Sequence, residues 1–351
     1  MKVCFVMPNM SGGGAQRVVS VLANELSKRG HKVSLLITNT DVIEYSLNEE
    51  IEIDVGCAHA AHGPLAQIKY IRCKMKNAEN TTFISFLDNQ NVFTVLAGLG
   101  LSNKVIVSQR NDPHRAFPDR KYMRIISWWI YALADAAVFQ TLDAKACYPR
   151  FAEKKYHIIL NPLSSNLPER YNKGRTKRVV TVCRLNQQKN LYLAIDAFCA
   201  FSKAFPEYSF EIYGKGELEQ SLKGYAKKEG MSNKVIFKGF YKDVFTQIED
   251  AAMFLISSDF EGLSNSMIEA MAMGIPTIAT DCPIGGARMV IQNGINGFLV
   301  PVRNQEAMTA AMEKLANDRK LMETVSENAA KLREQLSVDK ICSQWEQLLH
   351  G

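Results

Sequence analysis

The sequence contains no run of the roughly 18 apolar residues that a membrane-crossing helix needs, which excludes helical spans. None of its eight cysteines, at 4, 57, 73, 147, 183, 199, 282 and 342, forms a Cys-x-x-Cys pair. Several lie in apolar, strand-like runs, so they read as reduced core thiols of a cytosolic protein. The six histidines, at 31, 59, 62, 114, 157 and 350, have no zinc spacing; His59 and His62 are merely close in sequence. No Asp-x-Asp triplet offers a carboxylate cradle to a divalent cation, and no Gly-Lys-Ser/Thr offers a P-loop. Without an aromatic RNP run or a Cys/His finger, nothing points to nucleic acid. Repeats of 20 to 50 residues and low-complexity tracts are also missing. The chain enters a strand pattern at Lys2 with no signal-peptide pattern, so the expectation is a cytoplasmic protein, at most peripheral on the inner face of the cytoplasmic membrane.

What is present is an ordinary globular composition: 47% hydrophobic, 22% charged, net charge +6 over 351 residues. That charge fits a phosphorylated substrate or an anionic membrane surface. Strand-like runs at Val3–Met7, Lys32–Ile37, Thr82–Ser85, Lys104–Val107 and Ala136–Phe139 alternate with helical patterns such as Ala15–Arg29 and Asp119–Leu133. Residues 161–177 break the pattern with two prolines and read as a linker. Alternation resumes with strands at Arg178–Val182, Ser209–Tyr213, Lys234–Phe237, Ala251–Ile256 and Pro276–Thr280. The pattern predicts an α/β protein of two doubly wound, Rossmann-like domains facing a cleft. The first is expected over 1–163, with the helix 337–351 packing back on it, and the second over 164–336. Ligands of such sheets bind beyond the carboxyl ends of the strands.

Four clusters stand at such ends. Gly12-Gly13-Gly14 follows the first strand and lets a ligand approach the backbone closely; a plain flexible turn is the alternative. Arg184 and Lys189 follow the first strand of the second half, a fork and a point charge suited to one diphosphate. Gly214-Lys215-Gly216-Glu217 is a candidate pocket wall. Asp259 to Pro276 places Glu261 before, and Glu269 within, a helix that begins near Ser264 or Asn265. The amides of 262 to 265 then form an anion site at a helix start, and the Glu269 carboxylate suits a vicinal diol such as ribose.

The motifs Ser-Gly-Gly-Gly-Ala-Gln-Arg (11–17), Cys-Arg-Leu-Asn-Gln-Gln-Lys-Asn (183–190), Gly-Lys-Gly-Glu (214–217), Glu-Gly-Leu-Ser-Asn-Ser-Met-Ile-Glu-Ala-Met-Ala-Met-Gly-Ile-Pro (261–276) and Asn-Gly-Ile-Asn-Gly-Phe-Leu-Val (293–300) span nearly the whole chain. In that order they resemble the family 4 glycosyltransferases of the GT-B fold. The resemblance implies retaining, metal-independent transfer of a sugar from a nucleotide donor to a hydroxyl, with no cofactor. It implies that Arg184 and Lys189 neutralise the diphosphate and that Glu269 binds the ribose. Glu261 with Gly262, Leu263 and Ser264 would hold the donor sugar, and Gly13 and Gly14 would close over the diphosphate. The chain departs from the family at Arg110, which stands where many relatives carry a histidine; His114 follows one turn later. UDP is the expected nucleotide, carrying a hexose or an N-acetylhexosamine.

The acceptor side is drawn from residues 101–125, where Lys104, Arg110, Arg115, Arg120, Lys121 and Arg124 face only Asp112 and Asp119, and Trp128 and Trp129 follow. A basic, aromatic surface suits an anionic membrane and a polyprenyl-diphosphate-linked saccharide in O-antigen or surface polysaccharide assembly. The alternative for the two tryptophans is the packed face of an ordinary helix. Asp88, Arg110 and His114 are the candidate acceptor or sugar contacts. Two other readings are an epimerase-like nucleotide-sugar enzyme and a noncatalytic nucleotide-sugar-binding protein. The first should surround an anomeric carbon with acidic and histidine residues.

Overall fold

A computed structural model describes residues 1–56, 63–118 and 120–350. Cys57, His59, His62 and Asp119, all considered above, lie outside the described residues. The chain divides into two compact units, residues 1–162 with 336–351, and residues 163–335.

In the first unit strand and helix alternate as β1 (Lys2–Met7), α1 (Gly14–Lys28), β2 (Lys32–Ile37), β3 (Glu52–Val55), α2 (Pro64–Lys76) and β4 (Thr81–Phe86). Then come α3 (Asp88–Gly98), β5 (Val105–Ser108), α4 (Lys121–Tyr131), β6 (Ala136–Phe139), α5 (Leu142–Ala146) and β7 (Tyr156–Ile158). The strands form one parallel sheet in the order β3-β2-β1-β4-β5-β6-β7. Its central strands are apolar runs rather than alternating ones because helices cover both faces; Val3 to Met7 and Thr81 to Phe86 are buried without a break. On α1, Val18, Val19, Leu22, Ala23 and Leu26 make the inward stripe. The helix stops at Gly30, whose φ of +83° closes the last turn at no steric cost.

The second unit runs β8 (Arg178–Val182), α6 (Leu191–Ala204), β9 (Ser209–Tyr213), α7 (Glu219–Lys228), β10 (Val235–Gly239), α8 (Val244–Ile248), β11 (Met253–Ile256), α9 (Asn265–Ala272), β12 (Thr277–Thr280) and β13 (Phe298–Val300). Three helices, α10 (Gln305–Asn317), α11 (Arg319–Ala330) and α12 (Leu332–Gln335), complete it. Its parallel sheet has the order β10-β9-β8-β11-β12-β13. Val179, Phe198, Phe201, Phe210, Ile212, Met253 and Leu255 fill the core between sheet and helices.

The last helix, α13 (Val338–His350), belongs to the first unit. Arg29, the C-cap of α1, holds it through Glu346 at 2.5 Å and Asp339 at 2.7 Å, and His31 lies 2.8 Å from Glu346. Trp345, fully buried, stacks on Phe86 with centroids 5.8 Å apart. In both sheets the strand order reverses next to the first strand, beside β1 and β4 in one and β8 and β11 in the other. The loops leaving those four strands border the switch-point crevices where doubly wound sheets take their ligands.

Candidate functional site

The second unit's switch point gathers most of the sequence-derived candidates. Arg184 and Lys189 lie in the loop after β8, and Glu261 lies in the loop after β11. The Lys189 ammonium is ion-paired with the Glu261 carboxylate, and both side chains are mostly buried, at 15% and 18% exposure. Burial pulls the ammonium down, but the Glu261 charge outweighs it and the Lys189 pKa is raised. Ser258 Oγ donates to the same carboxylate at 3.2 Å. Arg184 is exposed, so the Arg184 guanidinium carries its charge on the rim of this arrangement.

A web of bonds that sequence reading missed holds the two loops in register. Gln188 Nε2 donates to the Phe260 carbonyl at 2.9 Å, and Asp259 N–H donates to the Gln188 carbonyl at 2.9 Å. Ser257 Oγ donates to the Lys189 carbonyl at 2.8 Å, and Asn190 Nδ2 donates to Asp259 Oδ1 at 2.9 Å. Asn190 takes the left-handed conformation, φ 42°, so that one residue ends the short 3-10 turn Gln187–Lys189 and starts α6. Asparagine is the sequence signal for such a position, and it was legible.

Gly214 and Gly216 owe their identity to backbone packing. A Cβ at Gly214 would sit 1.8 Å from the Cys183 carbonyl oxygen, and one at Gly216 would sit 2.3 Å from that of Leu185. The Leu185 N–H donates to the Lys215 carbonyl at 3.0 Å, so the Gly-x-Gly loop is bonded to the Arg184 loop. Glu217 is exposed beside it. A third glycine contact was not anticipated: a Cβ at Gly286 would meet the Gly262 carbonyl oxygen at 1.8 Å. The pair Gly285-Gly286 follows β12 as the other glycine clusters follow their strands, and that repetition was the available signal.

Gly262, Leu263 and Ser264 are buried and lead into α9, with Ser264 as an extended N-cap whose hydroxyl makes no cap bond. Such a terminus attracts anions. Glu269 is fully buried on α9 and its Oε1 accepts from the Ser164 N–H at 3.3 Å. The helix ends at Gly274, φ +73°, directly before β12. The arrangement can bind a diphosphate through Arg184, Lys189 and the α9 amides, and hydroxyls through Glu269.

In the first unit the glycine loop precedes α1. The Gly12 N–H donates to Glu44 Oε2 at 2.5 Å, and the Gly13 N–H donates to Tyr45 Oη at 2.9 Å. Tyr45 Oη in turn donates to the Gly13 carbonyl at 2.8 Å. Gly14 opens the helix. Asp88 opens α3 after β4, and burial, against a hydrogen bond from Gln109, pushes its pKa up to about 6. Arg110, just after β5, is half-buried; Asn161 Oδ1 accepts from its Nη1 at 2.7 Å, and it lies 4.7 Å from the Phe86 ring centroid. Burial lowers the Arg110 pKa to about 9. His114 is exposed, with Nε2 3.4 Å from Cys147 Sγ and its ring edge-on to Trp128. Burial, then Asp112 and Asp143, push the Cys147 thiol up to about 11, so the pair lacks a ready thiolate. Among the described residues, no group of three or more His, Cys, Asp and Glu side chains is placed to hold a metal ion.

Residues 165–332 match the family described as glycosyl transferases group 1. Over 99% of this chain and 98% of the relative, the sequence is 26% identical to the GalNAc-alpha-(1->4)-GalNAc-alpha-(1->3)-diNAcBac-PP-undecaprenol alpha-1,4-N-acetyl-D-galactosaminyltransferase of Campylobacter jejuni. It is 24% identical, over 95% of this chain and 94% of the relative, to that organism's N-acetylgalactosamine-N,N'-diacetylbacillosaminyl-diphospho-undecaprenol 4-alpha-N-acetylgalactosaminyltransferase. Among solved structures, Anabaena HepE in complex with UDP superimposes with a TM-score of 0.80 over 100% of both chains at 17% identity. A mutant form of S. aureus TarM superimposes with a TM-score of 0.81 over 100% of both chains, at 13% identity. Full-length likeness to named sugar-transferring enzymes, carried on two doubly wound parallel sheets, makes this chain a glycosyltransferase with the GT-B fold, whose residues 165–332 match the group 1 glycosyl transferases. 

Proposed function

We propose that the enzyme transfers a hexose or N-acetylhexosamine from its UDP derivative to a hydroxyl of a polyprenyl-diphosphate-linked saccharide, in O-antigen or other surface polysaccharide assembly. The configuration at the anomeric carbon is retained and no metal takes part. The observation that carries this reading is the convergence of Arg184, Lys189, Glu261 and the start of α9 on one switch point. As the bond from the anomeric carbon to the diphosphate oxygen breaks, negative charge grows on that oxygen. Arg184, Lys189 and the α9 amides stabilise it, the task a divalent cation performs elsewhere. The leaving phosphate takes the proton of the incoming acceptor hydroxyl, so the reaction needs no side-chain base. Glu269 takes the ribose hydroxyls. Glu261 orients Lys189 and, with the 262–264 backbone, receives the donor sugar. Gly214, Gly216 and Glu217 form the wall beside the Arg184 loop.

UDP as the nucleotide draws support from the bound UDP of Anabaena HepE, and the lipid-linked acceptor from the names of the two Campylobacter relatives. No described helix is long and apolar enough to cross a membrane. A peripheral position on the cytoplasmic face is instead supported by α4, which exposes Tyr122, Ile125, Ile126 and Trp129 beside Arg120 and Lys121.

Thermal unfolding with UDP, GDP and ADP tests the donor reading. A ligand of the native state raises the midpoint through RT ln(1 + [L]/Kd). UDP is expected to raise it selectively, and Glu269→Ala to abolish the rise; no rise with any of the three overturns the nucleotide site. Transfer measured in EDTA is expected to proceed undiminished, and its loss would overturn the metal-free chemistry.

A further inference from the structure

The sheet of the first unit also has an amino-terminal end, away from its switch-point crevice. Lys104, Asp135 and Lys155 each stand directly before a strand, β5, β6 and β7 in turn, and these strands are neighbours in the sheet. A cavity of about 1060 Å³ opens at this end, with Gln344, Gln347 and Leu348 of α13 in its lining. That lies at the upper limit of the about 300–1,000 Å³ usual for small-ligand pockets, more than a single ion fills. Among the described residues that line it, Asp135 is the one acid against Lys104, Lys154 and Lys155. Asp135 Oδ2 accepts from the Val105 N–H at 2.7 Å, and the nearby Glu153 is paired with Lys145 at 3.0 Å. Among the described residues, no carboxylate is ion-paired with any of the three lysines. Lys104 Nζ donates to the Leu348 carbonyl at 2.6 Å and Lys155 Nζ to the Ala134 carbonyl at 3.0 Å. Those bonds fix both ammonium groups and leave each with hydrogens to donate elsewhere. Burial, then the charges of Lys145 and Lys104, hold the pKa of the lining residue His157 below its ordinary value. The ring is therefore neutral at pH 7, with one N–H to donate.

We propose that this cavity is a binding site for a phosphate ester, its phosphate held by Lys104, Lys154 and Lys155 and its organic part by the side chains around them. The lining selects this chemistry. A metal cation meets three ammonium groups and one carboxylate already bonded to backbone. A neutral or apolar ligand leaves the lysine charges uncompensated. A phosphate brings both the negative charge and the several acceptor oxygens that three ammonium groups call for. Bare phosphate fills only part of the space. The Gln344 and Gln347 amides, with Leu133 and Leu348, offer polar and apolar contacts to an attached group. Bound there, the ligand ties α13 to the edge strand β7. Two sources present this chemistry, a soluble phosphate ester and the headgroup of an anionic phospholipid. The second is placed within reach by the exposed Phe151, which shares the 3-10 turn Arg150–Lys155 with Lys154 and Lys155, and by Leu133, 55% exposed. Neither source depends on the donor or the acceptor reading, because the cavity lies at the opposite end of the sheet from the crevice.

Phosphorus NMR of glycerol phosphate titrated with the full chain tests this. The wild-type chain is expected to broaden the signal. Lys154→Gln and Lys155→Gln are each expected to weaken the affinity about fivefold, the scale of one basic residue facing an anionic phosphate. Lys154 has no bonding partner among the described residues, so Lys154→Gln should keep the wild-type thermal midpoint, which checks its fold. Arg184→Ala, in the second unit, should bind glycerol phosphate as the wild type does. No broadening by the wild-type chain, or equal affinity in wild type and both lysine variants, overturns the site. A loss in Arg184→Ala with none in the lysine variants also overturns it, and assigns the phosphate to the diphosphate site instead. Vesicles containing phosphatidylglycerol separate the two sources. If they release bound glycerol phosphate where phosphatidylcholine vesicles do not, the ligand is the lipid headgroup; if they leave it bound, the ligand is the soluble ester.

Discussion

Lys189 and Arg184 carry like charges on one loop in different settings. Lys189 is mostly buried against Glu261, whereas Arg184 is exposed. Truncating Lys189 leaves a largely buried carboxylate without its cation, so Lys189→Ala is expected to lose stability as well as rate. Arg184→Ala should lose rate with little change in midpoint. Each is expected to lower kcat by about 10²–10³, the scale of removing one stabilising group from developing negative charge. Steady-state transfer rates and thermal midpoints check both, and wild-type rates in the two variants would refute the diphosphate assignment. Asp88 gives a pH-dependent prediction. Burial holds its folded-state pKa near 6, against 3.8 for the free side chain, with Asp112 adding to the rise and Gln109 opposing it. An acid with a raised folded pKa costs no stability below its unfolded pKa. The cost develops as pH rises from about 4 to 6 and is complete above that, at most about 3 kcal/mol here. Asp88→Asn is therefore expected to raise the midpoint at pH 7.5 and to leave it unchanged near pH 3.5. An equal gain at both values would contradict the burial of a charged Asp88.

Elements were legible in the sequence where burial is complete and less so at sheet edges. The strand reading at Ala136–Phe139 coincides with β6, and that at Arg178–Val182 coincides with β8, because two-sided burial writes continuous apolar runs. The edge strands β3, Glu-Ile-Asp-Val, and β7, Tyr-His-Ile, were not read, since one neighbour and partial exposure leave short mixed patterns. The chemistry-bearing residues were legible by type and position. The Ser257, Gln188 and Asp259 bonds that place them were not, because they join loops about 70 residues apart. Loop packing also separates glycines that look alike in sequence. Gly286→Ala would drive a Cβ into the Gly262 carbonyl oxygen, a backbone atom with no side-chain freedom to yield. A loss of about 2–3 kcal/mol and a weaker UDP-induced shift are expected. Gly224, exposed within α7 with nothing within 4 Å of an added Cβ, should gain about 0.5–1 kcal/mol on the same change. Denaturant unfolding of the two variants checks the pair, and equal effects would refute the packing account.

For the molecule as a whole, the sequence offered two adjacent tryptophans and could not say which faced outward. The structure separates them. Trp128 is half-buried, with its ring 6.1 Å from that of Tyr148, while Trp129 is 57% exposed and pairs with the 69% exposed Phe151 at 5.6 Å. Exposed apolar residues in such a group mark an interaction surface rather than scattered surface composition. Arg120, Lys121, Arg150 and Lys154 are exposed close to them in sequence. Each basic residue near an anionic leaflet contributes about 1 kcal/mol, and a buried aromatic side chain adds an apolar term that salt does not screen. The two terms predict different responses. Binding to vesicles with anionic lipid should fall as salt rises from about 0.1 M, where screening acts over about 10 Å, towards 1 M. Trp129→Ser with Phe151→Ser should weaken binding at every salt concentration by a similar factor. Replacing Arg120 and Lys121 with glutamine should instead flatten the salt dependence. Sedimentation with vesicles of neutral and anionic composition reads all three. If the double aromatic variant sediments as the wild type does, the Trp129 surface takes no part in membrane binding and its exposed apolar group must serve another contact.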